Sequence, residues 1–362
     1  MEKTILQIFA SRGWGGGEQY VYDLSKRLIE QGNNVIFSGK KCSVIEKKIA
    51  SLGNYFALPL KGIIDLYSPF KLCRIIEKYN VDIVHIHQFK DAFTTMFANI
   101  LLKRKVKVAL TRHLVKKGKT NWLYGYAYRS VDKIIFVSEL AKNVFLSTKP
   151  HVNSQKILVI HNSIPSKTSQ TERVDYRKKF NIGEQNIVLA FVGRLDKEKG
   201  LDVLFEALNL SINKNFILLV AGIGSEQYKS HLVQLLSQSE LNDKVIFLDF
   251  IENVAELVQQ VDIGIMPSIY PESFGLVVLE YMRGRKPVIT SDNGAQSEYI
   301  QNNRTGILVP PNDAARLASE IDKLMLDENL RNSIGTSARE YFTENLSYDM
   351  FFTKILDVYK AL

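Results

Sequence analysis

The segment DIGIMPSIYPESFGLVVLEYMRGRKPVIT, residues 262–290, carries the clearest sign of the fold. It contains a short apolar run at Ile263–Met266, a proline-containing loop, a helical pattern from about Leu276 and a second apolar run at Pro287–Thr290. Short apolar runs of this kind are typical of parallel strands that are buried on both faces. The segment therefore predicts a strand, a helix and a second strand of an α/β domain.

Two glutamates flank the start of the predicted helix. Glu272 falls in the loop before it and Glu280 lies inside it, eight positions later, so both side chains can face the same way. Phe274, Gly275 and Leu276 occupy the helix start, where unpaired N–H groups and the positive end of the helix dipole favour an anion. Because carboxylates accept hydrogen bonds from hydroxyl groups, the arrangement suits a phosphorylated sugar. The alternative is a surface loop with a chance glutamate and an ordinary helix.

The segment PESFGLVVLEYMRGRKPVI, residues 271–289, resembles the Glu-x7-Glu signature of retaining glycosyltransferase family 4, E-x-F-G…E-A-M-A…G-x-P-V-I. The departures are Tyr281, where the family often has alanine, and Arg285 with Lys286, where it often has glycine or lysine. The resemblance implies the GT-B fold, an α/β architecture of two Rossmann-like, doubly wound domains that face each other across a cleft.

The same resemblance implies a donor site for a nucleotide-diphosphate sugar, UDP- or GDP-linked. It assigns Glu272 to catalysis beside the donor sugar and Glu280 to the ribose hydroxyls. It also places the helix start at Phe274, Gly275 and Leu276 in the donor site. Membership of the family implies transfer with retention of the anomeric configuration.

Length and composition are those of a globular protein with two domains: 362 residues, 46% apolar and 23% charged. Two cysteines, Cys42 and Cys73, fit a reducing compartment and exclude a disulfide scaffold. No apolar run of about 18 residues occurs, and the start MEKTILQIFA lacks the pattern of a signal peptide. We therefore expect a cytoplasmic protein without a transmembrane helix.

The positive charge is concentrated in the first half of the chain. Residues 1–165 hold 26 Lys and Arg against 11 Asp and Glu, a net charge of +15, whereas residues 166–362 have a net charge of −6. Such asymmetry predicts an anionic partner for the first half, either a membrane surface or a phosphorylated acceptor. Nucleic acid is not expected, because no recognised binding motif accompanies the charge. A merely solvated basic face remains the alternative.

A glycine loop follows the first predicted strand, Thr4–Ala10. The sequence SRGWGGGEQ leads into a helical pattern, and a strand, glycine loop and helix in succession allow close approach of a phosphate. A tight turn explains three glycines equally well, and neither a P-loop nor G-x-G-x-x-G is present. The loop resembles the family's G-G-x-E, which assigns Gly16 and Gly17 to donor binding and Glu18 to acceptor binding.

Histidines stand at the ends of two further predicted strands. His85 and His87 in VHIHQF are two positions apart and share a face of the strand, and His113 follows the next strand in TRH. His-x-His can bind a metal, but no third ligand is evident nearby, so packing or hydrogen bonding is favoured. The resemblance assigns an acceptor-site role to His87 and a catalytic place beside the reacting sugar to His113.

A basic and aromatic stretch follows His113. Lysines and interleaved rings suit an anionic membrane interface, where rings lie at headgroup level and lysines meet phosphates. A flexible loop followed by a helix whose Tyr124 and Tyr128 face the core is an equally good interpretation. The residues are Lys116, Lys117, Lys119, Trp122, Tyr124, Tyr126 and Tyr128.

In the second half, GRLDKEKG follows a predicted strand at Ile187–Val192. It resembles the family's G-R-L-x-x-x-K-G, which assigns Arg194 and Lys199 to catalysis at the leaving diphosphate; a solvated charged loop is the alternative. By resemblance, Gly222 in GIGSE lies near the nucleotide and Ile251 contacts the base. No Asp-x-Asp occurs, so we expect neither a metal nor another cofactor.

Alternating apolar strands and amphipathic helices predict doubly wound parallel sheets. We predict an acceptor-binding domain over 1–165, a nucleotide-sugar-binding domain over 166–340 and a C-terminal helix over 341–362 that packs back on the first domain. The polar stretch 161–175 reads as the linker.

The predicted function is transfer of a sugar from a nucleotide sugar to a glycan or lipid-linked acceptor. Surface polysaccharide or lipopolysaccharide synthesis at the inner face of the cytoplasmic membrane, with peripheral membrane contact through the basic first domain, is the expected setting. The alternatives are a non-transferring enzyme such as a nucleotide-sugar 2-epimerase, or a sugar-nucleotide-binding protein with a degenerate site. A dehydrogenase is excluded because its glycine fingerprint is missing.

Overall fold

The computed structural model of the chain describes residues 2–11, 13–165 and 174–362. Contacts divide the chain into two units: one runs to Asn162 and includes Asp349–Leu362, and the other is Ser163–Tyr348. Residues 166–173, most of the predicted linker, lie outside the described residues. The predicted boundary at 340/341 falls inside a helix, Glu328–Asn345, because this helix continues without interruption in the second unit.

Each unit contains one sheet whose strands are all parallel. The order is β3-β2-β1-β4-β5-β6-β7 in the first unit and β10-β9-β8-β11-β12-β13 in the second. The strands are β1 (Thr4–Phe9), β2 (Asn34–Gly39), β3 (Tyr55–Ala57), β4 (Ile83–Ile86), β5 (Lys107–Arg112), β6 (Lys133–Phe136), β7 (Ile157–Val159), β8 (Ile187–Val192), β9 (Phe216–Ala221), β10 (Val245–Asp249), β11 (Ile263–Met266), β12 (Val288–Ser291) and β13 (Ile307–Val309).

Helices connect the strands, which is the arrangement that parallel strands require. They are α1 (Gly16–Glu30), α2 (Ser43–Ile49), α3 (Tyr67–Tyr79), α4 (Asp91–Leu101), α5 (Trp122–Ser130), α6 (Glu139–Leu146), α7 (Tyr176–Lys179), α8 (Leu201–Leu210), α9 (Glu226–Ser237), α10 (Val254–Gln259), α11 (Leu276–Arg283), α12 (Ala314–Leu326), α13 (Glu328–Asn345) and α14 (Tyr348–Lys360).

Each sheet and its helices bury a core of their own. Leu6 and Ile8 of β1 pack in the first core, and Leu189 and Phe191 of β8 pack in the second. Both strands lie in the interior of their sheets, so their side chains are buried on both faces, as their apolar sequences predict.

The strand order reverses direction once in each sheet. The first sheet extends from β1 through β2 to β3 on one side, and from β4 to β7 on the other; the second extends from β8 to β10 on one side and from β11 to β13 on the other. In open α/β sheets, ligands bind at such switch points, outside the carboxyl ends of the strands. The loops after β1 and β4, and after β8 and β11, are therefore the places to look for function.

The C-terminal helix α14 belongs to the first unit from Asp349 onward. Tyr359 near its end places its hydroxyl oxygen 2.7 Å from Nδ1 of His85, and the Phe351 ring lies edge-on to Tyr20 at 5.4 Å. Arg27 of α1 donates a hydrogen bond of 3.0 Å to the Asp349 carboxylate. Across residues 2–11, 13–165 and 174–362, no helix has the length and apolar character needed to cross a membrane.

Candidate active site

In the second unit, the loops after β8 and β11 meet at the switch point through an ion pair. Nζ of Lys199 contacts Oε1 of Glu272, and the Ser268 hydroxyl donates a hydrogen bond of 2.6 Å to the same oxygen. The side chains of Lys199 and Glu272 are 24% and 14% exposed, so water screens the pair only in part. The structure thus brings together two residues that the sequence predicts for one site.

Arg194 lies at the same end of the sheet, but its charge is engaged within its own loop. Its guanidinium forms ion pairs with Asp196 and, at 3.6 Å, with Glu198, and its side chain is 65% exposed. These are the neighbours expected of a solvated charged loop. Such exposed pairs contribute about 0–1 kcal/mol, so a diphosphate can displace them at little cost.

Two glycines set the backbone of this region. Gly200 has φ of +74°, and a Cβ atom there would lie 2.0 Å from the carbonyl oxygen of Pro267 in the loop after β11. Gly222 has φ of +149°, and its Cβ would lie 1.7 Å from the carbonyl oxygen of Gly193, which precedes Arg194. The loops after β8, β9 and β11 therefore approach more closely than any side chain permits.

Helix α11 begins at Leu276, as predicted, with Gly275 as its N-cap and no side-chain cap. Its first turn therefore presents backbone N–H groups, and the helix dipole adds positive potential. The ring of Phe274 is buried against Tyr299, whose hydroxyl donates a hydrogen bond of 2.6 Å to the Phe274 carbonyl. Phe274 thus offers a ligand its backbone, not its side chain.

Glu280 has different neighbours from Glu272. Its carboxylate forms an ion pair with Arg283 one turn later in α11, and the Arg283 guanidinium also donates to the carbonyl oxygen of Pro165. Glu280 and Arg283 line a groove beside α10 together with Arg285 and Arg339. The carboxylate is thus held by Arg283, the last residue of α11.

Ile251, the predicted base contact, is half-buried in the loop between β10 and α10. The loop is tied to the β9 loop, because the backbone N–H of Gly222 donates a hydrogen bond of 2.7 Å to the carbonyl of Asp249. The side chain of Phe250, its neighbour, is half exposed. The assignment of Ile251 to the base stays a prediction.

In the first unit, α1 starts at Gly16 just beyond the carboxyl end of β1. Gly15 is the N-cap, so the turn that contains Gly16 and Gly17 has no side-chain cap and leaves N–H groups available to an anion. The Ser11 hydroxyl donates to the Glu18 carboxylate, which fixes Glu18 toward the end of β1.

The structure brings His113 to His87, which directly follows β4. Nδ1 of His87 lies 3.1 Å from Nε2 of His113, and Nε2 of His87 lies 2.8 Å from Oε1 of Gln7 in β1. His85 makes separate contacts: its Nδ1 with Tyr359 and its Nε2, at 2.8 Å, with Oγ1 of Thr111. The packing and hydrogen-bonding interpretation of the His-x-His motif is therefore the one seen.

All three imidazoles are neutral at pH 7. Burial lowers the pKa of His85 to about 3 and that of His113 to about 4, and burial beside His85 and His113 lowers the pKa of His87 well below its usual value. A neutral His113 can donate one hydrogen bond and accept another, but it cannot act as an acid at this pH. In the described part of the chain, no group of three His, Cys, Asp or Glu side chains is placed to hold a metal.

Several buried polar residues escape sequence reasoning. Gln7 lies in an apolar strand and Tyr359 is 274 positions from its partner His85, so local pattern indicates neither. Ser268 lies in the loop after β11, four positions before Glu272. A hydroxyl group so close to a predicted site carboxylate was the one feature of the sequence that could have indicated it. Asp91, the first residue of α4, is fully buried, and burial raises its carboxyl pKa to about 7.

Comparison with known protein families identifies the family. Residues 14–167 match the family described as "Glycosyltransferase Family 4" and residues 172–341 match "Glycosyl transferases group 1". The chain belongs to glycosyltransferase family 4. The two matches together span most of the chain and leave out β1 at its start and α14 at its end.

Relatives of this glycosyltransferase are similar along most of their length. "Uncharacterized glycosyltransferase MJ1607" of Methanocaldococcus jannaschii is 27% identical over 79% of this chain and 76% of the relative. "N-acetyl-alpha-D-glucosaminyl L-malate synthase" of Bacillus anthracis is 26% identical over 96% and 93%. "Capsular polysaccharide biosynthesis glycosyltransferase CapM" of Staphylococcus aureus is 24% identical over 89% and 88%.

Solved structures confirm the GT-B fold. A glycosyltransferase from Rickettsia africae superimposes with a TM-score of 0.88 at 25% identity, covering 99% of this chain and 98% of that one. Anabaena Alr3699/HepE, solved with UDP and glucose, has a TM-score of 0.86 at 20% identity and full coverage of both chains. The predicted fold class, two Rossmann-like domains of the GT-B type, is therefore correct.

Proposed function

We propose that this glycosyltransferase takes its sugar from a nucleotide-diphosphate sugar, which binds at the β8/β11 switch point of the second unit. The observation that carries the proposal is the Lys199–Glu272 pair, with a cation and a carboxylate beside the uncapped start of α11. The cation and the helix start suit a diphosphate, and the carboxylate suits sugar hydroxyls. The structural relative solved with UDP and glucose supports this donor class; UDP and GDP are the nucleotides to test first.

In this proposal, catalysis rests on stabilising the charge that develops on the departing diphosphate. Lys199 donates from its ammonium, Arg194 turns from Asp196 and Glu198 to the phosphate, and the N–H groups of α11 complete the site. Glu272 gives up its contact with Lys199 and accepts hydrogen bonds from the donor sugar, while Glu280 binds the ribose. Transfer proceeds with retention and without a metal.

The first test is thermal stabilisation by a panel of UDP- and GDP-sugars and the free nucleotides. A ligand that binds only the folded protein raises the free energy of unfolding by RT ln(1 + [L]/Kd). A shift with one diphosphate sugar that is lost in Glu280→Ala supports the proposed donor site. The absence of a shift with every nucleotide sugar at millimolar concentration contradicts it and favours a degenerate site.

A second measurement separates transfer from epimerisation. A transferase consumes the donor in proportion to the glycosylated acceptor, and the anomeric coupling constants of donor and product, read by proton NMR, report retention. Conversion of the donor to its epimer, or release of the nucleotide in the absence of acceptor with an unsaturated sugar product, would identify the non-transferring alternative.

We also propose that the acceptor is a glycan or lipid-linked glycan of surface polysaccharide or lipopolysaccharide synthesis, reached by peripheral contact with an anionic membrane. The capsular polysaccharide relative and the net charge of +15 on residues 1–165 support this setting. On α5, Trp122 and Tyr126 are 71% and 53% exposed, whereas Tyr124 stacks on Phe89 and Tyr128 is buried. One helix thus has an inward aromatic face and an outward one, next to the exposed Lys116, Lys117 and Lys119.

Vesicle co-sedimentation tests the membrane contact. Binding to phosphatidylglycerol vesicles, but not to phosphatidylcholine vesicles, is expected, with loss in the Trp122→Ala/Tyr126→Ala double variant and at high salt. Tyr270→Ala removes an aromatic ring of similar exposure from the second unit and serves as the control. Equal binding by the double variant and the control would contradict this surface.

A further inference from the structure

A continuous hydrogen-bonded series links the interior of β1 to His113. Oε1 of Gln7 lies 2.8 Å from Nε2 of His87, and Nδ1 of His87 lies 3.1 Å from Nε2 of His113. Gln7 and His87 are buried, whereas His113 is half-buried at the end of the series. Both ring nitrogens of His87 are therefore engaged, so neither is available to bind an acceptor directly.

The series determines where the protons lie. A neutral imidazole carries one proton on one of its two nitrogens. The Gln7 carbonyl oxygen only accepts, so Nε2 of His87 carries the proton and Nδ1 of His87 has the lone pair. That lone pair accepts from Nε2 of His113, which leaves Nδ1 of His113 without a proton. Burial keeps the pKa of His87 and of His113 far below 7, which maintains the single-proton state that this reasoning requires.

Neighbouring rings hold the imidazoles of His87 and His113 in their orientations. The Tyr20 ring meets His87 edge-on at 5.7 Å and His113 at 4.7 Å, and the His85 ring lies 4.4 Å from His87. His85 does not compete for the protons of His87, because Tyr359 and Thr111 occupy both of its own nitrogens. Within the described residues, Nδ1 of His113 makes no hydrogen bond, so it is the open end of the series.

We propose that Gln7, acting through His87, fixes the tautomer of His113, so that His113 presents an unprotonated Nδ1 as a hydrogen-bond acceptor to the substrate. Gln7 and His87 are then positioning residues. The group that faces Nδ1 must be a donor, such as a sugar hydroxyl; a phosphate or carboxylate oxygen would meet a lone pair and be disfavoured. The placement of His113 beside the reacting sugar rests on the proposed function, but the tautomer does not.

The tautomer can be measured directly by NMR on protein labelled with ¹⁵N-histidine, because protonated and unprotonated ring nitrogens differ in chemical shift and in their couplings to ring protons. Signals of His113 are assigned by their loss in His113→Gln. The expected result in the wild-type protein at pH 7 is a protonated Nε2 and an unprotonated Nδ1. The opposite tautomer would overturn the proposal, since it requires the Gln7 amide to turn its NH₂ group toward His87.

A variant of Gln7 tests whether this residue sets the tautomer of His113. Gln7→Leu removes the acceptor beside His87 and is expected to give a mixture of the two His113 tautomers. Loss of one hydrogen bond predicts a fall in kcat/KM of about tenfold for Gln7→Leu. An unchanged His113 tautomer in a folded Gln7→Leu protein would overturn the role of Gln7.

The tautomer of His113 and the proposed sugar transfer can be tested independently of each other. If Gln7→Leu does not fold, the wild-type spectrum still decides the tautomer. If no nucleotide sugar is turned over by the wild-type protein, the proposed function fails while the spectrum still reports on the series.

Discussion

Lys199 and Glu272, 73 positions apart in the sequence, form an ion pair across the switch point of the second sheet. Each residue follows a different strand, and the two strands, β8 and β11, are neighbours only because the sheet reverses its order there. The pair places an ammonium group and a carboxylate at the edge where α/β proteins bind ligands. In the proposed function, a diphosphate sugar would engage both groups and replace their contact with each other.

Removal of either cation of the donor site is expected to lower turnover with little effect on folding. Lys199→Ala and Arg194→Ala each remove a charge that, in the proposed mechanism, stabilises the leaving diphosphate, and loss of one such donor costs about 10²–10³ in kcat. Lys197→Ala removes an exposed lysine from the same short 3₁₀ turn, Lys197–Lys199, and is the control. Steady-state kinetics with the donor identified by thermal shift gives the measurement. Near-normal turnover in both Lys199→Ala and Arg194→Ala would refute the diphosphate assignment.

Gly222→Ala is expected to destabilise the second unit and to disturb the loop that carries Arg194. The added Cβ would lie 1.7 Å from the Gly193 carbonyl oxygen, and φ of +149° is unfavourable for alanine. Strain of this kind costs about 1–3 kcal/mol. Urea unfolding measures the loss, with Gly13→Ala as the control, because a Cβ at Gly13 meets no atom within 4 Å. Equal free energies of unfolding for the two variants would show that the loops after β8 and β9 can move apart without loss of stability.

Asp91→Asn is expected to stabilise the protein increasingly as the pH rises from about 4 to 7. Burial raises the carboxyl pKa from 3.8 to about 7 in the folded state, so the folded protein holds a proton that the unfolded chain releases. The contribution of Asp91 to stability is therefore complete below pH 4 and is lost as the pH rises through 7. The full difference corresponds to at most about 4 kcal/mol, since one pKa unit is about 1.4 kcal/mol.

Urea unfolding of the wild-type protein and Asp91→Asn at pH 5 and pH 8 measures this effect. The asparagine keeps the size of the side chain and does not ionise, so the difference between the two proteins isolates the titration of one carboxyl group. A difference that is the same at both pH values would show that Asp91 is not protonated preferentially in the folded state.

Arg285→Gly is expected to stabilise the protein relative to Arg285→Ala by about 1 kcal/mol. Arg285 has φ of +60° just after α11, a left-handed conformation that costs a residue with a Cβ about 1–2 kcal/mol. Glycine adopts this conformation without strain. Comparing alanine with glycine removes the effect of losing the arginine charge. A higher melting temperature for Arg285→Ala than for Arg285→Gly would show that the backbone at this position is not strained.

Most of the strand pattern could be predicted from the sequence. The apolar runs at Ile187–Val192 and Ile263–Met266 are strands with the predicted bounds. The edge strands β3 and β13 escaped prediction, because each has three residues and too few side chains to show a period. The helix start at Leu276 followed from the loop and the apolar spacing.

The aromatic stretch on α5 shows where a sequence pattern stays ambiguous. Trp122, Tyr124, Tyr126 and Tyr128 alternate in the sequence, and at helical spacing they form two pairs on opposite sides. Packing decided that Tyr124 and Tyr128 face inward against Phe89 and that Trp122 and Tyr126 face out. One of the two interpretations of this stretch already placed Tyr124 and Tyr128 toward the core, and contacts with Phe89 and Phe93 show that this pair faces inward.

The amino-acid sequence alone determined the α/β class, the family and the candidate residues of the donor site, because apolar strands and the Glu-x7-Glu signature are local patterns. Only the tertiary structure decided which of these residues meet. Lys199 pairs with Glu272, whereas Glu280 pairs with Arg283, and Gln7, His87 and His113 form one series drawn from three strand segments. The physical reason is that contacts between residues far apart in sequence are set by strand order and register, which arise from the packing of the whole sheet and not from any one segment.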